Sequence, residues 1–244
     1  MLAIFKREIT SYFTSATGYL VLVFFLAMNG LLLWVIRGPF NIFDSGFADL
    51  SGFFLLAPFI FLFLIPALTM KSFSEERKVG TLELLLIKPI SPWELVLGKF
   101  LGTFILAIAA MIPTIIYVIC ISALGTTQGN FDSGLVLGAY AGMFLLISTY
   151  TAIGLFASVL TENQIVSFIV SLMICVVGYF GFNALSSSIS NGALALFVSN
   201  LGMEAHFEQM GRGILDTRDL VFFGSITFLF LFLTVNQLKT SSKK

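Results

Sequence analysis

The sequence predicts a polytopic all-α membrane protein with six transmembrane helices. Hydrophobic residues make up 58% of the chain and charged residues only 11%, whereas soluble domains average about 25% charged residues. Six stretches contain no charged residue and are long enough to cross a hydrocarbon core, which takes about 20 apolar residues as a helix. Because backbone in lipid must satisfy its own hydrogen bonds, these stretches are expected to be helices. They are residues 18–36, 53–70, 100–123, 135–160, 165–185 and 220–238.

The distribution of Lys and Arg predicts the orientation. With six spans, both termini and the even-numbered loops share one side of the membrane. The opposite side holds only Arg37, Arg212 and Arg218, so the positive-inside rule places both termini in the cytoplasm. Ten of the thirteen cations lie on the predicted cytoplasmic side: Lys6, Arg7, Lys71, Arg77, Lys78, Lys88, Lys99, Lys239, Lys243 and Lys244.

Residues 1–17 precede the first span and are predicted to form an amphipathic helix, with residues 18–244 forming the six-span domain. At 100° per residue, the apolar side chains of this segment fall within an arc of roughly 100°. We expect the helix to lie flat on the cytoplasmic leaflet, with its basic residues near lipid headgroups; the alternative is a helix packed on a partner protein. The apolar arc consists of Leu2, Phe5, Ile9, Tyr12, Phe13 and Ala16.

Small residues and cysteines in the spans are predicted to serve packing. Glycines spaced by four at the starts of spans three and four let helices approach closely, and they favour packing within the chain over a dimer interface. Neither cysteine indicates a disulfide or a metal site, since both lie inside predicted spans. These residues are Gly98, Gly102, Gly134, Gly138, Gly142, Cys120 and Cys175.

The loop after the second span, residues 71–99, holds nine of the 26 charged residues in 29 positions. Its first part, 74–87, predicts one amphipathic helix with a leucine face, ended by Lys88-Pro89. Ser91-Pro92-Trp93-Glu94 has the pattern of a capping box with proline at the first helical position, so a second helix begins there and continues into span three. We name residues 71–99 the elbow.

Two interpretations of the elbow remain open. The first is a surface on which a second protein docks, since a chain this apolar has no need of so many charges for solubility alone. The second is a solvated helix held by local ion pairs, each contributing only a few tenths of a kcal/mol. The combination of nine charges with the leucines at 82, 85 and 86 favours docking.

The segment 186–219 before the last span is the longest external stretch. Its apolar patch, 193–198, is too short to cross the membrane, which predicts a re-entrant or interfacial helix pair. His206 lies between Glu204 and Glu208, an arrangement compatible with a metal ligand. A lone histidine in a polar external helix is more often solvated, and we expect that here.

Several classes of function lack the residues they need. No Asp, Glu, Lys, Arg or His lies in the middle of a span, as ion-coupled carriers, charged pores and intramembrane hydrolases require. The phosphate-binding motif G-x-x-x-x-G-K-[ST] is absent, because Gly98-Lys99 is followed by Phe100. We therefore predict no catalytic, cofactor or metal site, and expect that another polypeptide supplies any work.

Three segments of the chain resemble a known family. The run from Glu75 to Pro89, EERKVGTLELLLIKP, followed by Trp93-Glu94 and Gly98-Lys99, resembles the loop after the second span of ABC-2 type permeases. The segments FKREITSYF at 5–13 and HFEQMGRGILDTRDL at 206–220 are similar to the gliding-motility (GldF-type) branch, and NosY-like permeases share part of that pattern. The resemblance covers essentially the whole chain.

The resemblance implies a half-transporter in the bacterial inner membrane, in which two permease chains, identical or paralogous, associate with two separate ATPase chains that bind the ATP. It implies that the elbow helix sits in a cleft of the ATPase, through Glu75, Glu76, Arg77, Gly80, Thr81, Glu83 and Pro89. It also implies an extracytoplasmic motif with Arg212, Asp216 and Asp219. The expected partners are the ATPase, the second permease, the lipid bilayer and an extracytoplasmic protein, with no nucleic acid.

Two hypotheses of function follow. In the first, the chain is the membrane subunit of an ATP-driven exporter of the gliding-motility or secretion type. In the second, it is an ATPase-coupled scaffold that moves no solute and transmits force to an extracytoplasmic partner through 186–219. An intramembrane enzyme is disfavoured by the lack of catalytic groups. The uncharged spans do not indicate a substrate.

Overall fold

The structure is a computed structural model that describes residues 1–46, 49–87, 89–125 and 131–241. Within those ranges the chain is helical and contains no strand. Lys88, Lys243 and Lys244, three of the cations used to predict the orientation, lie outside the described residues.

The described ranges contain fourteen α-helices, interrupted by two π-helical turns and one 3-10 turn. The helices are α1 (Leu2–Thr14), α2 (Ala16–Gly30), α3 (Ile42–Ser45), α4 (Ser51–Thr69), α5 (Ser74–Lys78), α6 (Thr81–Ile87), α7 (Pro92–Met111), α8 (Ile115–Leu124), α9 (Ser133–Leu160), α10 (Gln164–Val176), α11 (Phe182–Ser187), α12 (Gly192–Ser199), α13 (Met203–Gly211) and α14 (Thr217–Ser241). The π turns are Leu31–Val35 and Val177–Gly181, and the 3-10 turn, Ile112–Thr114, contains Pro113.

Six helical stretches are long and apolar enough to cross a membrane, which confirms the predicted fold class. They are Gly18–Val35, Ser51–Lys78, Pro92–Leu124, Ser133–Leu160, Gln164–Ser187 and Thr217–Thr240. The third begins at Pro92 because the capping box forms as predicted: the Glu94 amide donates to Ser91 Oγ at 3.1 Å, and the Ser91 amide donates to Glu94 Oε2 at 3.2 Å. The second part of the elbow is thus continuous with span three.

Helices α4 and α9 form the centre of the bundle. In each of them 72% of the apolar window is buried, against 22–39% in the other four spans. α9 contacts α4, α7, α10, α13 and α14. The other spans therefore keep one face toward these two helices and one face outward, where apolar side chains can meet lipid.

The glycine pairs pack within the chain, as predicted. At Gly102 an added Cβ would lie 2.6 Å from Glu8 Cβ, and at Gly98 it would lie 2.9 Å from Ile4 Cβ. The absence of a side chain at both glycines therefore allows α1 to pack closely on α7. At Gly138 the added Cβ would lie 2.3 Å from the Met210 carbonyl oxygen. Close backbone approach is what small residues permit between spans.

The prediction of one continuous helix over 74–87 is wrong. The segment forms two short helices, α5 and α6, separated by a turn at Gly80 with φ +75°. Because L side chains rarely adopt this left-handed conformation, glycine allows the chain to change direction here. Leu82 is buried and Leu85 is half-buried.

The first helix is present, but its buried face differs from the predicted one. It ends at Thr14 and packs on α7 through Ile4, Glu8 and Tyr12. Leu2 and Phe13, which belong to the predicted apolar arc, are exposed. The helix therefore packs on its own chain with one stripe and leaves apolar residues of another stripe uncovered.

We expect Gly138→Ala to destabilise the protein by about 1–3 kcal/mol, because the methyl group meets a backbone oxygen that no rotamer change can move. Gly224→Ala is the matched control: Gly224 also lies in a spanning helix, but nothing lies within 4 Å of an added Cβ, so alanine should be neutral or stabilising. The measurement is the thermal unfolding midpoint of the detergent-solubilised protein. Equal midpoints for the two variants would contradict the packing described.

Candidate functional site

The site is built around the ammonium group of Lys99, which is only 2% exposed. Lys99 lies two turns into α7, next to Gly98, where α1 packs closely on α7. An ammonium group has three N–H donors. All three are used: Nζ donates to Glu8 Oε1 at 2.8 Å, Glu76 Oε1 at 3.0 Å and the Ser72 carbonyl oxygen at 2.6 Å.

The two carboxylates reach Lys99 from different parts of the chain. Glu8 comes from α1 and Glu76 from α5 in the elbow, and both side chains are nearly buried, at 12% and 10% exposure. The Arg7 guanidinium lies 3.5 Å from Glu76 Oε1 on the solvent side. Two cations therefore neutralise two carboxylates, and α1, α5 and α7 meet at this group. We call these four residues the Lys99 cluster.

Tyr12 fixes α1 one turn beyond the cluster. Its hydroxyl lies 3.2 Å from both the Leu68 carbonyl oxygen in α4 and Thr103 Oγ1 in α7. Burial raises the pKa of Tyr12 to about 12, so the phenol stays neutral and can donate to the carbonyl. The first helix is thereby attached to two spans as well as to the elbow.

Ser158, near the end of α9, attaches the elbow to the centre of the bundle. Its Oγ accepts hydrogen bonds from the Phe73 amide at 2.8 Å and the Ser74 amide at 3.1 Å. The first amides of a helix have no partner inside the helix. Ser158 supplies that partner for α5 and in turn donates to the Met70 carbonyl oxygen at 3.3 Å.

The structure divides the predicted coupling residues into an inner and an outer group. Glu76 points inward to Lys99, and Thr81 Oγ1 donates to the Glu76 carbonyl oxygen at 3.3 Å. Arg77 is half-buried. The residues that the elbow exposes are acidic, basic and apolar: Glu75, Lys78, Val79, Gly80, Glu83, Ile87 and Pro89.

A polar cleft of about 400 Å³ lies beside the Lys99 cluster. One wall is α1, through residues including Arg7 and Ser11, and the other is the elbow, through residues including Lys71 and Glu75. The cleft makes the cluster accessible from the side of the protein on which the elbow lies, while the ammonium group itself stays enclosed.

Sequence reasoning did not single out Lys99, Glu8, Tyr12 or Ser158 as site residues. Three of them were within the quoted motifs, as Arg7-Glu8, Tyr12 and Gly98-Lys99. The available signal was a single lysine beside a glycine pair at the start of an apolar run, where a buried cation needs carboxylate partners. Ser158 had no such signal, because a serine in a span is compatible with many roles.

At the far end of the bundle, the expectation of a solvated histidine is wrong. His206 is 12% exposed, and its Nδ1 lies 2.5 Å from Oδ1 of Asp219, which is 1% exposed. The His206 Nε2 lies 2.9 Å from the Asn200 carbonyl oxygen. The imidazole ring therefore connects the turn at Asn200 with the start of α14. Within the described residues, no three His, Cys, Asp or Glu side chains form a metal-binding group.

The three residues of the predicted extracytoplasmic motif do not form one site. Asp219 is buried in the first turn of α14, whereas Arg212 is exposed and lies 3.8 Å from Glu208 one turn away. Asp216 precedes α14, and its Oδ1 accepts a hydrogen bond from the backbone amide of Arg218 at 3.0 Å. This hydrogen bond lowers the pKa of the Asp216 carboxyl group. Asp216 thus stabilises the start of the last span.

Six spanning helices and a charged, folded loop at one end define a multi-pass membrane protein. The chain matches the family described as "ABC-2 family transporter protein" over residues 2–236, and it belongs to that family. It is therefore a transmembrane permease subunit of an ABC exporter, a transport subunit rather than an enzyme. Such permeases generally pair with an ABC ATPase. A comparison with curated proteins finds no match.

We expect Lys99→Met to destabilise the protein by about 3–5 kcal/mol, because it leaves two nearly buried carboxylates without their shared cation. Lys78→Met, which removes an exposed lysine of α5, should change stability by less than about 0.5 kcal/mol. Adding Glu8→Gln and Glu76→Gln to Lys99→Met should restore most of the loss, since no charge is then left buried. The measurement is the thermal unfolding midpoint in detergent; a triple variant no more stable than Lys99→Met argues against the cluster.

We expect Asp219→Asn to loosen α13, because the amide replaces a charge-assisted hydrogen bond to His206 that contributes about 1.5–3 kcal/mol. Hydrogen–deuterium exchange should become faster at the amides of α13. Asp216→Asn is the control, since asparagine serves equally well before a helix. Unchanged exchange in α13 for Asp219→Asn would show that the pair does not hold this helix.

Proposed function

We propose that a separate ATPase binds the outer face of the elbow from the cytoplasm and drives this permease through the Lys99 cluster. The observation behind the proposal is the two-sided elbow. Its inner side is bonded to α1, α7 and α9 through Glu76 and Ser158, and its outer side exposes Glu83 one helical turn from apolar Ile87. An exposed surface that mixes charges with large apolar side chains is suited to a specific protein contact.

The contacts also suggest how a push on the elbow would reach the spans. A displacement of α5 moves Glu76. Separating Glu76 from Lys99 would leave a buried ammonium group without one of its carboxylate partners, which is energetically costly. The low-energy response is that α1 and α7 follow as a unit. Ser158 transmits the same displacement to α9 at the centre of the bundle.

The finer assignment is an exporter of the gliding-motility or secretion type in the bacterial inner membrane, with both termini and the elbow cytoplasmic. Support comes from the excess of Lys and Arg on that side and from the motif at 206–220. The assembly would contain a second permease, identical or paralogous, because an ABC exporter built from half-transporters needs two. ATP is bound by the partner subunit and not by this chain.

The scaffold hypothesis has one supporting observation. The far end exposes Arg212 and Arg218 outside the His206–Asp219 pair, which leaves charged groups available to an extracytoplasmic protein. In that case the same elbow would transmit force without moving a solute. Solute flux into membrane vesicles containing the whole complex separates the two functions.

Charge reversal on the outer face of the elbow, Glu83→Lys, should strongly reduce association with the ATPase, since surface charges fix the orientation of such contacts. The chain is affinity-purified from its native membranes, and vanadate-sensitive ATP hydrolysis in the eluate is measured. Glu162→Lys, an exposed carboxylate in the α9–α10 loop, is the control and should retain the activity. Wild-type chain that brings down no ATPase activity, or a Glu83→Lys variant that keeps it in full, would refute the proposal.

A further inference from the structure

The polar cleft between α1 and the elbow contains charged groups beyond those that hold α1 and the elbow on the bundle. Its volume of about 400 Å³ is within the range of small-ligand pockets. Its buried lining includes Tyr12, Glu76 and Lys99, and the polar residues at its opening are exposed: Arg7, Ser11, Lys71 and Glu75. The opening therefore presents two cations and one carboxylate to a group that enters the cleft.

The charges at the opening are available for a ligand. Within the described residues, Lys71 and Glu75 belong to no ion pair. The Arg7 side chain is 60% exposed, and one of its nitrogens lies 3.5 Å from Glu76 Oε1. Because a guanidinium group has five N–H donors, Arg7 can bind a further anionic group while it keeps this contact.

The floor of the cleft has an unused hydrogen-bond acceptor. Glu76 is more than nine-tenths buried, and its Oε1 accepts from Lys99, but its Oε2 has no hydrogen-bond partner among the described residues. A buried acceptor without a donor costs free energy. The terminal torsion of a glutamate is soft and two-fold, so either oxygen can face the cleft. A ligand with an N–H donor would satisfy this carboxylate.

The charges that line the cleft balance one another. The ionisable residues in the lining are Arg7, Lys71, Lys99, Glu8, Glu75 and Glu76. Three cations face three carboxylates, so an anionic ligand would add a negative charge without a matching positive one. A ligand that carries both charges, with a net charge of zero, is complementary to such a lining.

The position of the cleft along the spans indicates a lipid rather than a soluble ligand. Of the lining residues, Ser15 precedes the first span, Lys71 follows the apolar part of the second, and Lys99 precedes the uncharged run of the third. The cleft therefore lies where spans meet the membrane surface. Beyond Ser15, Tyr19 and Val23 follow at intervals of four and are 55% and 63% exposed. They give an acyl chain an apolar surface that leads away from the cleft.

We propose that the cleft binds the headgroup of phosphatidylethanolamine. Arg7 and Lys71 bind its phosphate, and its primary ammonium group donates hydrogen bonds to Glu75 and Glu76. Because Arg7 belongs to α1 whereas the other three residues belong to the elbow, the lipid joins the two walls of the cleft and reinforces the Lys99 cluster. The inference goes beyond the proposed function and requires no ATPase, so either can fail without the other.

Carbodiimide coupling tests the contact between the ammonium group and Glu75. The reagent joins a carboxyl group to an adjacent primary amine as an amide. The full chain is reconstituted in vesicles of equal parts phosphatidylethanolamine and phosphatidylcholine, and lipid adducts are quantified by mass spectrometry of its peptides. We expect several-fold more adduct on Glu75 than on Glu162, an exposed carboxylate in the α9–α10 loop at the same end of the bundle.

Removal of a phosphate contact provides the matched variants. Lys71→Met should lower the adduct on Glu75 several-fold, because the headgroup is then held less firmly, whereas Lys78→Met, at an exposed lysine outside the cleft, should leave it unchanged. Equal adducts on Glu75 and Glu162 would show random encounter with bulk lipid and would overturn the proposal. An adduct on Glu75 that does not respond to Lys71→Met would overturn it as well.

The unfolding midpoint identifies the ligand. A ligand that binds the folded chain stabilises it, and we expect the midpoint in detergent to be about 2–4 °C higher with phosphatidylethanolamine than with phosphatidylcholine of the same acyl chains. The quaternary ammonium group of phosphatidylcholine has the same charge but no N–H donor. Glu75→Gln should remove the difference, and Glu162→Gln should keep it.

Two further additives separate the possible sources of the same chemistry. An equal rise with water-soluble phosphoethanolamine would identify a free metabolite as the ligand, and an equal rise with phosphatidylglycerol would identify a site for anions. Either result overturns the proposal. No rise with any additive also overturns it, since the cleft then binds no headgroup.

Discussion

The structure depends on one electrostatic constraint: the ammonium group of Lys99 is enclosed and cannot be left without anionic partners. Removing a charge from water costs several kcal/mol, and the protein offsets this cost with two carboxylates and one carbonyl oxygen. Because the carboxylates belong to α1 and α5, three separate segments must meet at the start of the third span. An apolar cluster would also hold these segments together, but its non-directional contacts would tolerate sliding, whereas three directed hydrogen bonds define one arrangement.

The charges of the elbow consequently serve two different ends. Glu76 belongs to the interior of this chain, where it is paired and nearly enclosed. Glu75, its direct neighbour, projects to the surface. A loop between two spans thus acts as a folded part of the membrane domain on one side and as a contact surface on the other. The turn at Gly80 separates α5, which is fixed to the bundle, from α6, which exposes Glu83 and Ile87.

The spans were predictable because their signal is local: each is a long uncharged run, and lipid permits no other structure for it. The capping box at Ser91 was predictable for the same reason. The partners of Lys99 were not, since Glu8 and Glu76 lie 91 and 23 residues away and nothing in a single sequence pairs them. The break at Gly80 was missed because helical periodicity continues across it, and His206 was misassigned because its partner Asp219 is contributed by the next helix.

The distance along the chain between α1 and its partners has a consequence for biosynthesis. Glu8 can contact Lys99, and Tyr12 can contact Thr103, only after the chain has been extended by a further 91 residues. As a nascent chain emerges from the N-terminus onward, the first helix leaves the ribosome long before the third span exists to receive it. The contacts of α1 with α7 can therefore form only after span three has been synthesised.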